Sequence, residues 1–75
     1  MKELVEAIAK ALVDAPNEVV VTEETNDKGT LITLKVAQSD IGKVIGKQGK
    51  VANAIRSVVK AAGIRKGIHA MVDIE

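Results

Sequence analysis

The stretch Ile41-Gly42-Lys43-Val44-Ile45-Gly46-Lys47-Gln48-Gly49-Lys50 decides how the rest of the chain is read. Ile41 to Ile45 amounts to little more than one helical turn, and Gln38-Ser39-Asp40 before it offers the expected N-cap. From Lys50 to Ala62 helical spacing resumes, with Val51, Ala54, Ile55, Val58, Val59 and Ala62 on one arc and Asn53, Arg56, Ser57 and Lys60 on the other. Between the two segments stand Gly46 and Gly49, where one helix could otherwise have run on. Glycine permits a positive φ and lets another chain approach closely. The loop also opens the Lys50 helix, whose unpaired N–H groups and positive dipole end favour a phosphate. Lys47 and Lys50 add mobile charge there, and Gln48 can donate or accept a hydrogen bond.

Working outward, Leu4, Val5, Ile8, Ala11, Leu12 and Ala15 fall within about 120° of one another at helical spacing. An amphipathic helix is therefore expected from Lys2 to Ala15, stopped by Pro16, with Val13 on its polar side and without a core role. Val19-Val20-Val21-Thr22 is β-branched throughout. After the turn signal Asn26-Asp27-Lys28-Gly29, the run Thr30 to Val36 places Ile32, Leu34 and Val36 on one face. Gly63 suits the left-handed residue after the Lys50 helix. Ile68 to Glu75 alternates, turning Ile68, Ala70, Val72 and Ile74 inward.

The expected order is α-β-β-α-α-β, a two-layer α+β arrangement forming one domain over residues 1–75. The connection from the second strand to the last is long enough for a right-handed crossover, so those two lie parallel while the first pairs antiparallel. The three-stranded mixed sheet then carries all helices on one face. Thr33, Lys35, His69, Met71 and Asp73 face water on the other, with Leu31 and one side of the valine strand as apolar exceptions.

Composition excludes several classes of function. The chain has no Cys, hence no disulfide, thiolate metal site or cysteine nucleophile, and its single His cannot by itself assemble a metal site. It has no Phe, Tyr or Trp, so no base can stack on an aromatic ring, against the habit of RRM, OB and cold-shock modules. No apolar run approaches the roughly 20 residues of a membrane span, and Met1-Lys2-Glu3-Leu4 does not open a signal peptide, so the cytoplasm is the expected location. Net charge is only +1, yet it is segregated along the chain. Residues 1–27 carry Glu3, Glu6, Asp14, Glu18, Glu23, Glu24 and Asp27 against Lys2 and Lys10. Residues 41–72 carry Lys43, Lys47, Lys50, Arg56, Lys60, Arg65 and Lys66 and no acid, a pole that attracts a polyanion.

Taken together, I-G-x-V-I-G-x-x-G-x between two short helices in this strand order closely resembles the KH-domain signature, with Lys47-Gln48 as the variable pair of G-x-x-G. The likeness spans the whole chain and points to the type II, prokaryotic version of the fold, in particular to a small stand-alone bacterial branch. It implies a groove holding about four nucleotides of single-stranded RNA, with no cofactor and no small-molecule substrate. Gly46, Lys47, Gln48 and Gly49 would form the phosphate clamp, Lys43 and Lys50 the flanking electrostatic contacts, and Arg56 and Arg65 further basic neighbours. Ile41, Val44 and Ile45 would supply the groove wall, although one helical turn leaves open which of them faces the core. The resemblance further implies a post-transcriptional regulator or RNA chaperone, linked in some bacteria to cell shape and wall elongation. It also implies a homodimer or a heterodimer with a second, larger KH-containing protein, and leaves open whether such pairing or RNA binding is primary.

Other phosphate motifs fail. No glycine lies five residues before Gly46 or Gly49, no Ser or Thr follows Lys50, and G-x-G-x-x-G breaks at its second glycine. Glu23 and Glu24 are adjacent on a strand and point to opposite faces, which spoils them as an acid and base pair. No nucleophile and base accompany one another at usable spacing, so no enzyme is expected.

Overall fold

The β-branched and alternating runs pair as expected in the computed structural model, which describes all residues from 1 to 75. Strand β1 (Val20–Asn26) lies antiparallel to β2 (Gly29–Lys35), with Val20 opposite Lys35 and Asn26 opposite Gly29. Asp27 and Lys28 form the tip, and the Asn26 side chain accepts the Lys28 N–H at 2.8 Å. Strand β3 (Ala70–Ile74) runs parallel to β2, with Thr30 opposite Ala70 and Leu34 opposite Ile74. The sheet order is β1-β2-β3, so the longer crossover skips no strand.

Three helices, α1 (Lys2–Leu12), α2 (Ile41–Ile45) and α3 (Lys50–Lys66), cover one face of this sheet. Between the layers lies an aliphatic core of Val5, Ala9, Val13, Val21, Ile32, Leu34, Val36, Val44, Ile55, Val59, Ala70 and Val72. Without aromatic bulk, each small side chain fills its space only if helix and sheet come close. That closeness explains Gly63, which departs from its expected role. It is a buried helical residue, not a cap, and a Cβ there would sit 2.9 Å from both Ala70 Cβ and the Ile68 carbonyl oxygen. Helix α3 therefore continues past it to Lys66 and ends at Gly67, whose φ of 74° and ψ of 25° supply the left-handed residue. The inward stripe is Ala52, Ile55, Val59 and Gly63, while Ala54 is exposed and Val58 is 42 % exposed, contrary to the apolar arc read from periodicity. Ile68, expected inward, precedes the strand and is exposed.

The first helix also stops early. Val13 is extended (φ −93°, ψ 158°), which swings its side chain out of helical register and into the core, while Leu4, Ala11 and Leu12 remain exposed. Pro16 stops the helix locally, and a distant carboxylate holds the extended exit. The Asp40 carboxylate, 1 % exposed, accepts the N–H groups of Asp14 at 3.2 Å and Ala15 at 3.0 Å. Asp40 makes no side-chain cap to its own helix, although its position in Gln38-Ser39-Asp40 would suggest one; it accepts instead two N–H groups of the segment that follows α1. Pro16 then opens a short 3₁₀ turn, Pro16–Glu18.

Two substitutions test this packing. Gly63→Ala should lower stability in urea unfolding by about 1–3 kcal/mol despite its better helix propensity, because neither Ala70 Cβ nor a backbone oxygen can yield. Asp40→Ala should cost about 2–3 kcal/mol in the same measurement, since it leaves two donors near the core without their acceptor.

Candidate nucleic-acid interface

Between α2 and α3 the backbone leaves the helical region. Gly46 (φ 76°, ψ 172°) ends α2 with its N–H bonded to Gly42 O at 2.9 Å. Lys47 to Gly49 form one tight turn closed by the Gly49 N–H on Gly46 O at 3.1 Å, with Gln48 (φ 58°, ψ 25°) and Gly49 (φ 76°, ψ 13°) left-handed. Gly46 is doubly constrained, because its φ is positive and a Cβ would also stand 2.8 Å from Val51 Cβ and 2.9 Å from Val51 N. Gly49 is needed for conformation alone, since the nearest atom to such a Cβ is Asn53 Nδ2 at 3.9 Å. Gln48 is the one non-glycine residue of the chain with positive φ. The loop side chains Lys47 and Gln48 stand in solvent. As the opening residues of a turn, Lys47 and Gln48 have no carbonyl within it to receive their N–H groups.

The loop continues into a basic margin. On α3, Asn53, Arg56 and Lys60 share one side at i, i+3 and i+7, and Arg56 Nη1 donates to Asn53 Oδ1 at 3.4 Å. Arg56 and Lys60 stand over β3, where a shallow groove of about 300 Å³ is lined by Arg56, Lys60, His69, Ala70, Met71 and Val72. One side of β3 is the free edge of the sheet. The His69 carbonyl accepts Thr30 N–H and Glu75 N–H donates to the Leu34 carbonyl, so alternation turns the backbone groups of Ala70, Val72 and Ile74 outward. Sequence periodicity leaves Lys60 merely on a solvated arc and says nothing of Met71 in a groove. Only the strand order brings α3's basic side over β3. Arg65 does not join this margin; it lines the opposite side of α3 with Leu4, Val58, Ala61 and Ala62.

The groove-wall candidates separate. Val44 is 0 % exposed and belongs to the core, so it cannot touch a ligand, because α2 buries that one side of its single turn. Ile41 is half-buried against the core and Ile45 is exposed. Lys43, expected beside the clamp, turns away from it: its ammonium binds the Asp14 carboxylate and lies 4.0 Å from Asp40 Oδ1. The hydrogen bond to Asp14, with the charges of Asp14 and Asp40, holds Lys43 above the ordinary lysine range against partial desolvation. Lys50 is exposed at the start of α3. No group of three or more His, Cys, Asp or Glu could hold a metal ion, and no helix is long and apolar enough to cross a membrane.

Comparison with known proteins agrees with this geometry. Residues 2–74 match the family described as KhpA/KhpB, KH domain. A protein of Clostridium acetobutylicum named RNA-binding protein KhpA is 53 % identical over 74 residues, covering 99 % of each chain. The protein of the same name from Aquifex aeolicus is 42 % identical over 74 residues, covering 99 % of this chain and 94 % of its own. Among solved structures, a point variant of Aquifex aeolicus Era bound to GDP.AlF4- superposes with a TM-score of 0.61 at 16 % identity. That match covers 97 % of this chain and 28 % of the larger one, and shows likeness of fold. With its α-β-β-α-α-β order, mixed sheet and G-x-x-G break between α2 and α3, the chain has the type II KH fold and belongs to the KhpA/KhpB family of KH domains, which are not enzymes.

Proposed function

We propose that this chain binds single-stranded RNA, holding about four nucleotides between the Gly46-Lys47-Gln48-Gly49 loop and the free edge of β3. The observation that carries the reading is the exposed left-handed turn at Lys47-Gln48-Gly49, opening onto a basic helix side. Its amides and the start of α3 would receive the sugar-phosphate chain. Lys47, Lys50, Arg56 and Lys60 would neutralise it. Bases would lie against Ile45 and Met71, with half-buried Ile41 behind them. Stacking on aromatic rings is not available to this chain, so affinity would come mainly from phosphate contacts and sequence preference would be shallow. Such a grip suits a post-transcriptional regulator or RNA chaperone that visits many transcripts. The names of the full-length relatives, RNA-binding protein KhpA, support the same reading.

A second reading, self-association, is favoured by one surface. On the side of α3 away from the clamp, Leu4, Val58, Ala61 and Ala62 border an apolar hollow of about 300 Å³, and Ile64 nearby is 68 % exposed. Exposed apolar clusters of this kind mark interfaces. A homodimer formed there would leave both clamps open.

Two measurements test these readings. For RNA, log K should fall with log salt with a slope of about −3 if these four basic side chains neutralise phosphates. Lys47→Asp combined with Gln48→Asp should abolish binding in a filter or polarisation assay while leaving the circular dichroism spectrum unchanged. A double variant that keeps both its spectrum and its affinity removes the clamp from consideration. For self-association, light scattering should give twice the chain mass, and Val58→Asp should return it to one chain mass with RNA binding retained.

A further inference from the structure

A five-residue helix cannot hold its own orientation, since one turn gains too few hydrogen bonds to offset the cost of ordering it. Yet α2 places Gly46 so close to Val51 that no Cβ would fit between them. Something beyond its own turn fixes it. Val44 anchors one side in the core. On the other side stands a closed polar ring. The buried Asp40 carboxylate receives the Asp14 and Ala15 amides, the Asp14 carboxylate receives the Lys43 ammonium, and that ammonium lies 4.0 Å from Asp40. The ring joins residues 26 and 29 positions apart and ties the exit of α1 to the helix that carries the clamp.

We infer that Lys43 is a positioning residue: held by Asp14 and Asp40, it braces α2 beneath the Gly46–Gly49 loop and does not itself contact phosphate. The inference rests on the RNA reading for its functional consequence, but the brace itself is a property of the free protein. It reverses the simple electrostatic expectation for a lysine three residues from the clamp. It also assigns a role to the Asp14 carboxylate, an acid that otherwise only weakens an anion site. Asp14 is well exposed, so its neutralisation does not threaten the core.

The sign of one effect separates the two roles. Were Lys43 a phosphate contact, Asp14→Asn would free its charge, tighten RNA binding and steepen the salt slope by about 0.7. As a brace, Asp14→Asn should instead weaken binding, as Lys43→Met should, by about two- to fivefold, the scale of a partly exposed ion pair. Both variants should leave the salt slope unchanged, whereas Lys47→Ala should flatten it by about 0.7. Independently of RNA, amide hydrogen exchange at Gly46 and at Asp14 should quicken in Lys43→Met. Tighter binding in Asp14→Asn, a flatter slope in Lys43→Met, or unchanged exchange at Gly46 would each overturn the inference. If the unaltered chain binds no oligonucleotide, the RNA reading falls instead, and the exchange measurement still decides whether Lys43 braces α2.

Discussion

Positive φ at Gly46, Gln48 and Gly49, three of four consecutive residues, is the constraint on which the rest of the molecule depends. Because that break is only one turn long, α2 and α3 both reach the core, through Val44 and through Ile55 and Val59. The break also interrupts the run of helical hydrogen bonds ahead of α3, whose Arg56 and Lys60 border β3. A side chain at Gly46 would collide with Val51, so the turn is locked by packing as well as by conformation. The turn's geometry is thus set by folding alone, and any ligand it received would not have to order it.

An all-aliphatic interior shapes both stability and recognition. Small side chains demand close layers, which is why Gly63 faces Ala70 where α3 crosses β3. The same absence of aromatic rings leaves the groove beside β3 with Ala70, Met71 and Val72 as its apolar lining. Charge is segregated along the chain: acids gather on α1 and the hairpin, while the stretch from Ile41 to Val72 carries bases and no acid. Lys43 departs from that division by pairing across it with Asp14.

Most of the fold is legible in the sequence because its signals are local. Alternation in Thr30 to Val36, the Asn26 to Gly29 turn and the paired glycines each specify a backbone state with few alternatives. The features that are not legible depend on contacts between distant parts of the chain or on residues with little periodic signal. Val13 enters the core on an extended exit from α1 that Asp40 holds by accepting the N–H of Asp14, 26 positions away. Gly63 reads as a cap because its true reason, contact with Ala70, is tertiary. The inward stripe of α3 is rotated towards Ala52 and Gly63, since alanine and glycine carry little periodic signal although they permit the closest approach. At the site, the loop residues are visible as a motif, whereas Lys60 and the β3 edge emerge only from strand order, and the pairing of Lys43 only from the meeting of α1 with α2.

The most direct measurement of the central claim is the response of backbone amide resonances to a short single-stranded RNA. The largest shifts are expected at Lys47, Gln48, Gly49 and Lys50, extending to Arg56, Lys60 and the outward amides of Ala70 and Val72. Shifts confined to the open sheet face around Leu31, or to α1, with the Gly46–Lys50 amides unmoved, would contradict it.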